Sequence, residues 1–230
     1  MNTPRLLLIL ATTLAAGAAQ ANDPGFYVGG GLGQASYDDT LAGQVYGAYR
    51  NHPTLAYQAA NLVDDEDQTW KAFAGYRFLP WLGVELAWND LGEVTSFYSV
   101  RASNVTGGTA TYDGTYEIKG VSLALFGDWE FTDRFSGIVR AGLFNAETDY
   151  RESGLDPLGR PRSFRAPDDS STEAFYGLGL NWRVTPSWDL RLDWDRYLDI
   201  GNQFELTETG NGRFEQIDVL SLNVAYRFGQ

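Results

Sequence analysis

The chain contains no cysteine, so neither a disulfide nor a thiolate metal centre is available to it. It holds one histidine, His52, in a loop-like stretch beside Pro53 and with no serine next to it. A lipid-facing Ser–His pair of the kind used by lipid-acting hydrolases is therefore not visible, and no enzymatic activity and no cofactor are expected. Positive charge is scarce. Against 17 Lys and Arg stand 30 Asp and Glu, a net charge of −13, which argues against nucleic acid, whose phosphates reward a basic surface. Past the first residues no apolar run could cross a bilayer as a helix, which takes about 20 residues.

The first 21 residues have Arg5 in a short basic start, an apolar run over residues 6–16 and Ala19-Gln20-Ala21 at the end. This is the layout of a cleaved secretory signal. The alternative, an anchor helix, has too short an apolar run. Residues 22–230 are then read as one exported domain.

Within that domain the dominant signal has a period of two. In the closing stretch Leu220, Leu222, Val224, Tyr226 and Phe228 alternate with Ser221, Asn223, Ala225 and Arg227, the mark of a strand with unlike faces. Gly75, Gly127 and Gly179 recur at a constant interval, and each opens a hairpin with a break at Leu79-Pro80-Trp81, Thr132-Asp133-Arg134 or Thr185-Pro186-Ser187. Longer polar stretches lie between them, at residues 38–67, 92–115, 151–171 and 199–213. With a first strand at 26–36 and a last at 216–228, eight strands result. One parity of these strands carries Phe26, Val28, Leu32, Trp70, Leu86, Trp88, Leu123, Leu125, Val139, Leu143, Leu178, Leu180 and Leu192, and no charge. The other holds Lys71, Arg77, Glu85, Asp128, Arg140, Arg183, Arg191, Asp193, Asp195 and Arg227. A Lys or Arg on a lipid-facing strand at mid-bilayer costs about 2–4 kcal/mol. Given the mean hydropathy of −0.29, the expected fold is all-β: an eight-stranded antiparallel up-and-down transmembrane β-barrel with short periplasmic turns and four long outer loops. A soluble sandwich or lipocalin-type barrel would bury the apolar parity instead, and alternation alone does not say which side is wet.

Several passages resemble the OmpA-like eight-stranded barrels of Gram-negative outer membranes: Gly25 to Gly33, Phe73-Ala74-Gly75-Tyr76-Arg77-Phe78, Gly83-Val84-Glu85-Leu86, Tyr176-Gly177-Leu178-Gly179-Leu180 and Leu222 to Phe228. The resemblance covers nearly all of the exported chain and implies an outer-membrane location, with lipid, lipopolysaccharide and the barrel-assembly machinery as partners. It also implies an assembly signal at Tyr226 and Phe228, although Gly229 and Gln230 follow where the family usually ends on an aromatic residue. A peptidoglycan-binding domain after the barrel is not expected, and a tethering role is not carried over.

An eight-stranded barrel is just wide enough for side chains to fill it, so inward charges must pair. Counting from the turns sets Glu85 near Arg77, Asn181 beside Arg191 and Gly179 beside Asp193. The expected interior network is Glu85, Arg77, Arg140, Arg191, Asp193 and Lys71, serving as a plug of salt bridges or as a gated narrow ion path. The resemblance lends the gate some support, through an inward Glu facing basic partners. Gly29, Gly31 and Gly33 lack the helix a phosphate cradle needs and are read as room for large neighbours. The acidic residues 64–67 and Asp168-Asp169 match no defined calcium loop and are read as solvated, with no metal assigned. Asn104-Val105-Thr106 carries little weight. Trp and Tyr favour a membrane–water boundary, so Phe78, Trp81, Phe131, Phe135, Trp182, Trp188 and Phe228 are expected as a periplasmic-side girdle, with Trp70, Trp88 and Trp194 nearer the outer boundary. The functional expectation is support of the envelope, with weak ion conductance in view. The alternatives are a narrow channel for ions or small apolar solutes, as in OmpW-like barrels, and recognition of host or surface ligands through the loops.

Overall fold

The computed structural model describes residues 24–102, 108–166, 169–202 and 212–229. The expected signal, the Asn104-Val105-Thr106 sequon and Asp168 lie outside these residues. In chain order the elements are β1 (Gly25–Tyr37), α1 (Leu41–Tyr49), β2 (Leu55–Asp64), β3 (Glu66–Leu79), β4 (Leu82–Ala102), β5 (Thr109–Thr132), β6 (Phe135–Leu155), β7 (Pro161–Arg165), β8 (Asp169–Arg183), β9 (Trp188–Asn202) and β10 (Gly212–Arg227). Strands β1, β3, β4, β5, β6, β8, β9 and β10 form an antiparallel ring, closed where β1 pairs β10 from Tyr27↔Arg227 to Tyr37↔Ile217. Closure leaves this ring without an edge. The turns at one end are tight for local reasons. Thr132 Oγ1 accepts the amides of Arg134 and Phe135 at 3.3 and 3.1 Å, and Thr185 Oγ1 accepts that of Trp188 at 3.1 Å, so a hydroxyl caps each of these turns.

Along the half of the wall next to these turns, the period of two sorts residues as the pattern requires. Leu32 and Trp129 are 72% and 75% exposed, and Leu86, Leu123, Leu125, Val139, Leu143, Leu178, Leu180, Leu220 and Leu222 are also exposed. The charged parity points into the lumen. Large apolar side chains on the outside are stable only against lipid, since each would gain about 1.5–3 kcal/mol from leaving water.

The other half of the wall has the opposite sense. There the lumen is apolar: Tyr37, Tyr116, Phe144, Tyr150, Phe175, Tyr197 and Phe214 pack with Leu91, Val94, Ile118, Ile200 and Ile217, all buried. Phe175 stacks on Tyr197 with centroids 5.2 Å apart, and Tyr116 lies 4.6 Å from Tyr150. Outward positions on the same strands are now Glu93, Glu117, Glu147 and Asp149. On β4 the change coincides with a bulge at Leu91-Gly92, where the register with β5 shifts between Asp90 and Glu93. Gly92 adopts φ +87°, which an L side chain rarely tolerates. Asp67 fixes the bulge by accepting the Glu93 amide at 2.6 Å, which gives the acidic run at 64–67 a structural use.

The outer connections hold more structure than the sequence led us to expect. Much of residues 92–115 and 151–171 belongs to β4, β5, β6 and β7, and residues 38–67 contain α1 and β2. Leu41, Val45 and Tyr49, spaced by four, bury one face of α1 against Ala60, Tyr98, Val100 and Ala110. The helix is fastened to β10 by Gln44, which donates to the Arg213 carbonyl at 2.6 Å and accepts the Arg213 amide at 3.0 Å. Strand β2 pairs β4 beyond the point where β3 leaves it.

Candidate functional site

The site is the ion cluster in the lumen of the lipid-facing half. Lys71 comes from β3, Glu85 from β4, Arg140 from β6, and Arg191, Asp193 and Asp195 from β9. All six are buried, none more than 6% exposed. Glycine makes room for them. Opposite Asp193 and Asp195 on β8 stand Gly179 and Gly177, where any side chain would run into those carboxylates.

The six groups form one connected set. Lys71 Nζ lies 3.1 Å from both Asp193 Oδ2 and Asp195 Oδ2. Arg140 reaches Glu85 Oε1 at 3.3 Å, Asp193 Oδ1 at 2.5 Å and Asp195 Oδ1 at 3.3 Å. Arg191 reaches Glu85 Oε2 at 2.8 Å and Asp193 Oδ2 at 3.2 Å. Tyr27 donates to Glu85 Oε2 at 2.7 Å, and Asn223 donates to Asp193 Oδ2 at 2.9 Å. The Arg191 guanidinium also sits over the Phe73 ring, 4.7 Å from its centroid, a favourable stacking for a desolvated cation. Lys71, Arg140 and Arg191 thus balance Glu85, Asp193 and Asp195.

One sequence expectation is corrected. Arg77 does not meet Glu85. The register shifts between Arg77 and Leu79 at the turn, which sets Gly75 opposite Glu85 and Arg77 opposite Gly83. Arg77 pairs with Asp128 instead, in a second tier near the turns that includes Arg227–Asp189 at 3.1 Å and Arg183–Glu130 at 3.2 Å. Asn181 does oppose Arg191, and Gly179 opposes Asp193. Sequence reasoning missed Asp195, Tyr27 and Asn223 as members. The signal for Asp195 was present: it shares the inward parity of Asp193 and faces a second β8 glycine. Tyr27 and Asn223 carry no charge and offered no such cue.

Of the aromatic residues expected at the rims, Phe78, Trp81, Phe131, Phe135, Trp182, Trp188 and Phe228 are exposed near the short turns, as are Trp70 and Trp88 towards the other rim. Trp194 is less exposed, with the Arg196 guanidinium over its ring at 5.2 Å and Tyr176 edge-on at 5.9 Å. Tyr226 packs edge-on against both Trp188 and Phe228. Among the described residues, no group of three or more histidine or acidic side chains is arranged to hold a metal ion.

An apolar belt outside, balanced ions inside and aromatic residues at both rims define a β-barrel that spans a membrane by its strands. The OmpA-like transmembrane domain model matches residues 19–230, and the chain belongs to that family, in the outer membrane of a Gram-negative bacterium. It is 28% identical to Outer membrane protein A of Klebsiella pneumoniae over 92% of its length and 27% identical to that of Serratia marcescens over 98%. It spans about half the length of these curated relatives, 53% and 55%. Among solved structures it is similar to OprG of Pseudomonas aeruginosa, at a TM-score of 0.49 and 14% identity, covering 93% of this chain and 100% of that one. It is likewise similar to Ail of Yersinia pestis, at 0.49 and 13%, covering 90% and 100%.

Proposed function

We propose that this barrel is a sealed structural element that supports the envelope from within the outer membrane, and is not a channel. The observation that carries the reading is the lumenal cluster, where six buried ions each hold at least two partners. A passing ion would have to strip partners from these groups, and breaking a buried pair costs about 3–5 kcal/mol. The aromatic layer stacked above the cluster would then offer a dehydrated ion few polar contacts. Planar-bilayer recording of the purified protein tests this. Baseline current at all voltages is the expected result, and steady unitary steps from the wild type would end the reading.

The reading treats the protein as a non-enzyme: His52 Nδ1 is occupied in accepting the Thr54 and Leu55 amides at 3.3 and 3.0 Å. It also takes Tyr226 and Phe228 as the signal read by the assembly machinery, with alanine at both expected to lower the amount of barrel inserted in the membrane. A second reading, recognition of surface ligands through the outer half, is favoured by the rigid extension of β4, β5 and β6 beyond the lipid belt. Comparing how cells carrying the intact protein and cells lacking the β6–β7 hairpin tip bind host matrix separates the two.

A further inference from the structure

The sheet that rises above the lipid belt has two edges, and they are built differently. Strands β4, β5 and β6 continue outward with β7 on one side and β2 on the other. Strand β7 is a blunted edge. It has five residues, begins at Pro161, which has no amide hydrogen, and carries Arg162 and Arg165. Short length, proline and charge are the means by which sheets turn foreign strands away. Strand β2 has ten residues, and residues 55–63 contain no charge and no proline. Bulges at Gln58 and Val63 bend it and leave residues 59–62 as its regular run. No described strand pairs with its other side. Strand β1 stays beside β3 up to Ser36↔Glu66, gives a last bond from the Tyr37 amide to the Asp65 carbonyl at 2.8 Å, and then turns away into α1. Helix α1 does not replace it, because it lies across the face of three neighbouring strands, on Ala60 of β2, Tyr98 and Val100 of β4 and Ala110 of β5. The Leu55 amide meets His52 Nδ1, and the Leu62 carbonyl meets the Asn61 side chain. Otherwise, among the described residues, the β2 backbone bonds to β4 alone.

An open strand edge is a row of amide and carbonyl groups, and what fits it is another extended backbone. Direction and charge select which one. Strand β2 leads into β3, which descends to the short turns, so in every copy within one membrane it runs toward the bilayer. Two such strands cannot meet antiparallel, the more stable arrangement, and a neighbouring copy is a poor occupant. At the membrane end of β2 stand Asp64, Asp65, Glu66 and Asp67. Asp64, Glu66 and Asp67 accept from the Glu66 amide, Gln34 and the Glu93 amide, and no described lysine or arginine pairs with any of the four. We propose that the open edge of β2 docks an extended segment of a partner polypeptide, added antiparallel, with basic residues at its N-terminal end and uncharged residues after them. The guest continues the line that β1 leaves, and its basic end lies beside the acidic run. The proposal rests on the second reading above, in which the outer half recognises a partner, and places that recognition at the edge opposite the β6–β7 hairpin.

The test uses the purified protein in detergent micelles and a probe peptide of three lysines followed by alternating threonine and valine. Two further peptides serve as comparisons. One is N-methylated throughout the threonine–valine stretch and cannot donate backbone hydrogen bonds; the other carries its lysines at the C-terminal end. The probe should bind at least tenfold more tightly than the N-methylated form and at least threefold more tightly than the reversed one. On binding, amide exchange read by NMR should slow at least tenfold within residues 55–64 and change less than twofold within residues 161–165. Asp64→Asn/Asp65→Asn, at two exposed side chains, should abolish the preference for N-terminal lysines, with an unchanged β-sheet spectrum showing that the variant is folded. Equal binding of the N-methylated peptide, slowing at β7 or nowhere, or a preference that survives the double substitution would overturn the site. Slowing within residues 55–64 that grows with protein concentration in the absence of peptide would assign the edge to a second copy and overturn it as well. Matrix binding by cells that persists while the peptide test fails would sink the edge and leave the second reading standing.

Discussion

At the scale of single residues, Glu85 shows what holds the lumen together: it accepts from Tyr27 and faces both Arg140 and Arg191. Replacing it with Ala leaves two guanidiniums buried with too little negative charge, so chemical unfolding in micelles should show a loss of about 3–5 kcal/mol. Glycines separate packing from mere chain flexibility. A methyl at Gly177 would strike Asp195, which Lys71 and Arg140 already pin, so Gly177→Ala should cost about 1–3 kcal/mol. At Gly127 the nearest atom to such a methyl lies 3.8 Å away, and Gly127→Ala should stay within about 0.5 kcal/mol of wild type. A Gly177 substitution as mild as that at Gly127 would contradict the crowded-lumen account. Membership of the cluster was half legible in the sequence. Inward parity found Lys71, Glu85, Arg140, Arg191 and Asp193 because a strand alternates strictly. Arg77 was misplaced because one bulge at the turn moves every rung beyond it, and a bulge leaves little trace in the sequence.

At the scale of elements, each strand of the lipid-facing half reads as a sentence in two alternating letters, whereas the outer half hides its strands. There β4, β5 and β6 bury Tyr, Val, Ile and Ala inward and set Glu, Thr, Ser and Asp outward, so the outward letters look like loop. Helix α1 was missed for a related reason: its apolar face rests on only Leu41, Val45 and Tyr49, and Gly43 and Gly47 lower its helical propensity. Two predictions belong here. Leu125→Arg on the lipid face of β5 should cost about 2–4 kcal/mol, measured by the same unfolding transition, while arginine at Thr111, outward on the outer part of that strand, should be nearly neutral. The outer sheet also contains a half-buried carboxylate, Glu152, with no cation paired to it among the described residues. Glu152 accepts the hydroxyls of Tyr98 and Tyr150 at 2.8 and 2.7 Å, and burial holds it above its ordinary value of 4.5 despite those donors. Tyr49 and Tyr112 pack against Tyr98, and Tyr116 against Tyr150. A raised value in the folded state means that protonation favours the fold. That contribution is full below the ordinary glutamate value and is lost as pH rises through the folded one. Amide protection factors in this sheet, which remove the intrinsic base-catalysed rise in exchange, should therefore fall from acid to neutral pH in the wild type and change less in Glu152→Gln. An identical pH profile in both would contradict it.

At the scale of the whole molecule, the barrel is two polarity patterns stacked on one set of strands. In lipid, the wall is apolar outside and ionic within; beyond it, the wall is acidic outside and aromatic within. The ring, the closure and the location were legible in the sequence, because a charge-free parity over eight strands leaves few other places for it to go. The inversion was not legible, because alternation carries no sign. The absence of cysteine permits a direct measurement of it: single cysteines placed along one face of β6 in protein reconstituted into bilayers, followed by labelling with a water-borne maleimide. Cysteine at Val139 or Leu143 should be shielded from the reagent, and cysteine at Glu147 or Arg151, on the same parity further along, should react freely. Equal labelling at all four positions would contradict a wall whose outer surface changes from lipid to water along its own length.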